Sequence, residues 1–251
     1  MIIIKTPDEV QKIQRACKIA AIVLREIKKF IKAGISTLDI EEQIVRIIKE
    51  HKATAAFKGY RGFPASACIS VNNVVIHGIP SKNIKLNNGD IVGIDVGTYL
   101  DGYYGDAAYT YSVGTINSRA QRLLKIAEEA LYKGISKAVV GNRVSDISNA
   151  IQEHVEGNGY SVVRKFVGHG IGRSLHEEPQ VPNYGEPGKG ARLREGMTLA
   201  IEPMINEGGY EVNILKDGWT AVTEDGSLSA HFEHTIVITK DGPVILTKLE
   251  N

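Results

Sequence analysis

The sequence predicts an α/β (α+β) domain that is internally duplicated, a two-fold pseudo-symmetric arrangement of an antiparallel sheet with four main helices on one face. Three observations predict it. Helix-forming pairs open each half of the chain, near residues 6 and 118. The strand-like segments are joined by short turns such as Asp101-Gly102 and Asp241-Gly242, the connection that antiparallel neighbours use. The chain also echoes itself at a fixed offset of 107 residues: Gly34 matches Gly141, Asp39 matches Asp146, Ile40 matches Ile147 and Ile44 matches Ile151. LNNGDIVGID, residues 86–95, maps at the same offset onto LREGMTLAIE, residues 193–202, which sets Asp95 against Glu202. Two copies are too few for a solenoid. The expectation is one domain, 1–251, with halves near 1–115 and 116–251.

The elements follow in order. Thr6 can cap the first helix, Pro7 suits its first position and Glu9 completes a capping box. Val10, Ile13, Cys17, Ala20, Leu24, Ile27 and Ile31 then recur at helical spacing, and Gly34 stops the run. Ser36 or Thr37 opens a second helix through Ile40, Ile44, Ile47 and Ile48. A third helix is expected over 118–138 on Leu123, Leu124, Ala127 and Leu131, broken by Gly141. Ser145 is the expected cap of a fourth, through Ile147, Ile151 and Val155.

Composition narrows the class. The chain has 251 residues, 43% hydrophobic and 24% charged, and a formal charge of +1, without the basic excess of a general nucleic-acid surface. Its two cysteines, Cys17 and Cys68, form no redox or metal spacing, and a reducing compartment fits. MIIIKTPDEV has too short an apolar run for a signal peptide, and no run reaches membrane-spanning length. A cytoplasmic protein that does not bind membranes is expected.

The chemistry lies in acids set within apolar strands. In IDVGTYLDGYYGD, residues 94–106, Asp95 sits between Ile94 and Val96, and Asp106 follows eleven residues later. A two-residue turn at Leu100-Asp101 or Asp101-Gly102 pairs residues whose numbers sum to an odd value. Either register puts Asp95 and Asp106 on one face, opposite or one diagonal apart. Glu202 in LAIEPM and Glu233 in AHFEHTIVI add two more acids in apolar contexts. Singly, each has an ordinary explanation: turn chemistry, an edge-strand charge or an arginine partner. Together, with two related by the repeat, they call for a cation.

Histidine supplies nitrogen. His169 and His176 lie in VGHGIGRSLHEEP, where glycines let the backbone approach a ligand closely, and His77 ends the strand VVIHGIP. His51 and His154 read as surface positions, and His231 and His234 are set aside as pointing away from a shared face. Four carboxylates and one imidazole suit Mn, Fe, Co or Zn, and fit two ions sharing bridging carboxylates better than one zinc. GHGIG lacks a Rossmann context and GEPGKG lacks the Ser or Thr of a P-loop, which excludes nucleotide binding by either.

The order Asp95, Asp106, His169, Glu202, Glu233 strongly resembles that of the type I methionine aminopeptidases, as do CISVNNVVIHGIP, GDIVGIDVG, DGYYGD, GHGIGRSLHEEPQVPNY, LREGMTLAIEPM and SLSAHFEHTI. The resemblance covers nearly the whole chain. It implies the pita-bread fold, with a curved antiparallel sheet, and a metal-dependent enzyme that removes N-terminal methionine when the second residue is small. By resemblance, Asp95 binds one metal, Asp106 and Glu233 bridge two, and His169 and Glu202 bind the other. Those ions would be two of Co, Mn, Fe, Ni or Zn. Glu202 would also act as general base, His176 would stabilise the tetrahedral state, and His77 would sit near the leaving nitrogen. The methionine pocket would be formed by Tyr60, Phe63, Cys68, Leu175, His77 and Trp219, and a monovalent cation, Na or K, would be held at Asn72, Val74 and Ser229. Phe57 and Leu175 depart from the Cys and the aromatic expected at those positions, which bears on fine preference within the pocket. Only 32 residues separate His169 from Glu202, too few for the helical insertion of the type II enzymes. The implied partners are nascent polypeptide N-termini near the ribosome, met by a monomer.

The rival readings are a proline-specific peptidase of the same fold and a metal-free binding module; the latter fits poorly with five competent ligand positions. One further expectation follows: because Ile2 is bulky, the chain retains its own Met1, and an intact mass lacking Met1 would contradict this.

Overall fold

The computed structural model describes residues 1–248. Its helices are α1 (Pro7–Ile27), α2 (Thr37–Glu50), α3 (Ser118–Ser136) and α4 (Val144–Gly157). The strands, in chain order, are β1 (Thr54–Ala55), β2 (Cys68–Val71), β3 (Val74–Ile76), β4 (Ile91–Leu100), β5 (Tyr103–Ser112), β6 (Ser161–Val162), β7 (Gly168–Gly170), β8 (Glu177–Val181), β9 (Thr198–Ile201), β10 (Met204–Asn206), β11 (Val212–Ile214), β12 (Ala221–Thr223), β13 (Ser229–His231), β14 (Glu233–Thr239) and β15 (Gly242–Ile245).

Nine strands form an antiparallel sheet in the order β1-β4-β5-β14-β9-β7-β8, with β2 added to β4 and β15 to β14. Two three-stranded sheets, β13-β10-β6 and β11-β12-β3, flank it. Side chains alternate along a strand. Val92, Ile94 and Val96 of β4 therefore enter one core with Ile40, Ile44 and Ile48 of α2 and Val23 and Ile27 of α1. Leu199, Ile201, Ile236 and Ile238 enter another with α3 and α4. The residues between them, Asp95 above all, face the other side.

The duplication is visible in the hydrogen bonds. The Gly34 amide donates to the Leu86 carbonyl at 2.7 Å, and the Gly141 amide to the Leu193 carbonyl at 3.1 Å, one repeat later. Isolated bridges Ser36–Lys85 and Arg143–Arg192 stand at the same offset, and α2 and α4 have the same length of 14 residues. Gly34 and Gly141 share a left-handed backbone, φ 90° and 97°, which only glycine adopts without strain.

Local signals explain the helix starts. Thr6 and Glu9 form the expected capping box, as do Ser36 and Asp39 on α2. The fourth helix starts at Val144, capped at Arg143, two residues earlier than a cap at Ser145 would set it. Asp146 accepts the Arg143 amide at 2.7 Å, while the Ser145 hydroxyl bonds to the Lys189 backbone as both donor and acceptor. α3 ends at Ser136, short of the expected 138, with three-residue hydrogen bonds closing the chain beyond it.

Candidate metal centre

The hairpin β4–β5 turns at Asp101-Gly102, both residues having positive φ, 50° and 87°, as a tight two-residue hairpin turn requires. Leu100 then faces Tyr103, Asp95 faces Ala108 and Gly97 faces Asp106. Asp95 and Asp106 thus share a face one diagonal apart. β14 lies against the other side of β5 with Glu233 opposite Ala108, so Ala108 is flanked by Asp95 and Glu233. β9 ends at Ile201 beside β14, and Glu202 follows it. β7 brings His169 opposite Ala200.

The cluster is tight. The His169 imidazole Nε2 lies 3.5 Å from Glu202 Oε1 and 4.0 Å from Asp106 Oδ2. Ligand atoms of Asp106, His169 and Glu233 all fall within 4.8 Å of one another. Asp106, His169 and Glu233 are buried, and the side chain of Glu202 is 12% exposed. Burial raises the carboxyl pKa of all four acids. The charge of Glu202 adds to this at Asp95, that of Asp95 at Asp106, and that of Asp106 at both Glu202 and Glu233.

The donor set fits divalent metal. Asp95 Oδ1, Asp106 Oδ1 and Glu233 Oε1 are buried without a hydrogen-bond partner. His169 Nδ1 lies 2.9 Å from the Gly170 carbonyl, which can only accept, so Nδ1 carries the proton and Nε2 turns a bare lone pair towards the acids. Lone pairs facing carboxylate oxygens need a cation or a proton between them, and a carbonyl holding the far nitrogen is the usual support of a metal-bound histidine.

All the residues that the resemblance implies for metal and methionine line one pocket: Tyr60, Phe63, Cys68, His77, Asp95, Asp106, His169, Leu175, His176, Glu202, Trp219 and Glu233, with Phe57 and Arg61 beside them. Its apolar walls are Phe57, Phe63, Cys68 and Leu175, backed by Ile171, with Tyr60 and Trp219 packed on them. Phe57 lies against Gly97, where a Cβ would meet its ring at 2.4 Å. Trp219 meets Phe63 edge-on at 5.1 Å. His176 stacks on Tyr60 at 5.2 Å, with its ring 4.0 Å from that of His169. Burial lowers the pKa of both His77, to about 4, and His176, so both are neutral at neutral pH. Cys68 pairs with Asp95 across β2–β4, and burial and that carboxylate push its thiol pKa well up.

Asn72, Val74 and Ser229 lie outside this pocket. Asn72 and Ser229 are brought together, the Ser229 amide donating to the Asn72 carbonyl at 2.9 Å. His51 is exposed, and His154 is half-buried against Glu129 at 3.1 Å. His234 turns away from the site to Thr247 and Tyr132. His231 does not turn away. Its buried Nε2 stands 3.7 Å from Glu202 Oε2 with no hydrogen-bond partner. Its spacing of two from Glu233 is the one sequence signal that points to it.

Among the described residues no helix is long and apolar enough to cross a membrane. A family model described as Metallopeptidase family M24 matches residues 11–240. A methionine aminopeptidase of Clostridium perfringens is 53% identical over 250 residues, covering 100% of both chains. Methionine aminopeptidase 1 of Bacillus subtilis is 52% identical, covering 99% of this chain and 100% of that one. The crystal structure of a methionine aminopeptidase from Thermotoga maritima superposes with a TM-score of 0.98 at 51% identity, covering 99% of this chain and 100% of that chain.

Proposed function

The chain belongs to metallopeptidase family M24, and from that premise we infer that it removes N-terminal methionine from proteins and peptides whose second residue is small. The observation that carries this reading is the convergence of four carboxylates and one bare imidazole nitrogen at the floor of an apolar, aromatic-walled pocket. Such a floor suits a hydrolytic metal centre, and such walls suit a thioether side chain.

Asp95, Asp106, His169, Glu202 and Glu233 would together hold divalent metal, two ions of the Co, Mn, Fe, Ni or Zn class. When bound, the ions lower the pKa of water and polarise the scissile carbonyl. Glu202 accepts the water's proton and returns it to the leaving amine. Neutral His176, at the pocket mouth, donates to the oxygen that gains charge in the tetrahedral state. His77 stands near the leaving nitrogen. Tyr60, Phe63, Cys68, Leu175 and Trp219 enclose the methionine side chain and exclude water. A monovalent cation is assigned to Asn72, Val74 and Ser229. The substrates are nascent N-termini near the ribosome, and the chain works as a cytoplasmic monomer.

Chelated protein, reconstituted with Co or Mn, should cleave Met-Ala-Ser and leave Ala-Pro intact. Cleavage of the Pro bond alone would favour the proline-specific reading, and hydrolysis that metal does not restore would favour a binding module. Asp106→Asn should lower turnover by about 100-fold or more, since even groups supporting a ligand cost 10–100-fold. Undiminished turnover would remove Asp106 from the ligand set.

A further inference from the structure

The pocket wall that carries Leu175 and His176 is a loop between β7 and β8, opening just after His169. It is held from the far end of the chain. Lys5, in the extended segment before α1, reaches Glu177 with its ammonium group, and the two side chains are only 2% and 5% exposed. Lys5 is itself fixed: its amide donates to the Gly196 carbonyl at 2.9 Å, and Nζ donates to the Ile3 carbonyl at 3.1 Å. Glu177 uses its second oxygen, Oε1, to accept the amides of Arg173 at 2.8 Å and Ser174 at 3.2 Å. One carboxylate therefore ties the N-terminal segment to the loop backbone two and three residues before His176.

The fit leaves no slack. A Cβ on Gly172 would lie 2.6 Å from Lys5 Cε and 2.8 Å from Glu177 Oε1, so a side chain there would have to displace the ion pair where it crosses the loop. A buried ion pair adds little to stability, because desolvation offsets attraction, and an apolar pair of like volume serves as well. Its distinctive effect is geometric. The pair fixes the direction of a carboxylate whose other oxygen sets the loop backbone.

We propose that Lys5 and Glu177 are positioning residues for the reaction: their buried ion pair holds the loop so that His176 stands over His169 and against Tyr60, where it meets the scissile carbonyl. This rests on the reading of His176 as a group that touches substrate. Glu177 acts through the Arg173 and Ser174 amides, and Lys5 acts through Glu177.

The test uses the metal-loaded full chain cleaving Met-Ala-Ser at saturating peptide. Lys5→Met and Glu177→Gln are each made alone and in a His176→Ala background, with metal content and unfolding temperature measured on every variant. The expected result is a tenfold or greater loss of kcat for each single variant at full metal content. In the His176→Ala background the same changes should alter kcat by less than twofold, because the loop then has no imidazole to place. Equal fold-losses in both backgrounds, or an unchanged kcat in the single variants, would overturn the proposal. If Lys5→Met does not fold, Glu177→Gln decides, since it keeps an acceptor for both loop amides. A different failure, full activity of His176→Ala itself, would refute the role of His176 and is separately visible.

Discussion

Parity decides which side chains meet at the site. Asp95 and Asp106 share a face because their hairpin closes through two residues, and both the turn residues and the odd sum can be read in the sequence. The position of His231 cannot be read as directly. It ends β13, which pairs with β10 in a separate sheet, and buried Phe232 intervenes before β14 starts at Glu233. Its amide and carbonyl are held by the Thr110 hydroxyl, 121 residues away, a contact with no local trace. His77 offers a test at this scale. Its φ of 57° is one that asparagine tolerates, and burial lowers its pKa from 6.5 to about 4. Between those values the unfolded chain binds more protons, so its stabilising contribution is complete above pH 6.5 and is lost as pH falls towards 4. The denaturant midpoint should therefore drop less between pH 7 and pH 5 in His77→Asn than in the native chain; equal drops would contradict this.

At the scale of elements, helices were the most legible, because caps and period are local. Thr6–Glu9 and Ser36–Asp39 mark α1 and α2 within a residue. The start of α4 was shifted because Ser145 is engaged by Lys189, a tertiary contact that overrides its capping tendency. How closely α1 packs on the sheet was not legible at all. At Gly105 of β5 a Cβ would lie 2.4 Å from the Cys17 amide nitrogen and 2.7 Å from the Ala16 carbonyl carbon. The Thr98 hydroxyl bonds the Ala16 carbonyl at 2.9 Å alongside. Backbone cannot step aside as a flexible side chain can. Gly105→Ala should lower the unfolding free energy by about 1–3 kcal/mol, read from chemical denaturation. An unchanged midpoint would show that α1 can move away from the sheet.

Across the whole molecule, the offset of 107 residues disclosed the duplication, and the resemblance supplied the roles within the site. What sequence could not disclose is how the β7–β8 loop is fastened from residue 5, since Lys5 and Glu177 are 172 residues apart. The candidate ligands come from both copies, and four raised carboxyl pKa values mean that metal-free protein is penalised as pH rises above the ordinary carboxylate range. Chelation should lower the unfolding temperature and added divalent metal should raise it, by about 2.7 kcal/mol of stability at a hundredfold excess over Kd. Scanning calorimetry with and without chelator checks this, and identical transitions would contradict a metal shared between the copies.

The match of Asp95 to Glu202 has a consequence for how such a site could arise. Two identical subunits meeting about a two-fold axis must present the same side chain at both equivalent places, so a change that improves one place is imposed on the other. Fusing the copies into a single chain lifts that constraint. The two positions now differ by one methylene, with Asp95 inside β4 and Glu202 just past the end of β9. A single chain can therefore carry a different acid at each of two places that a symmetric pair of subunits would have to make the same.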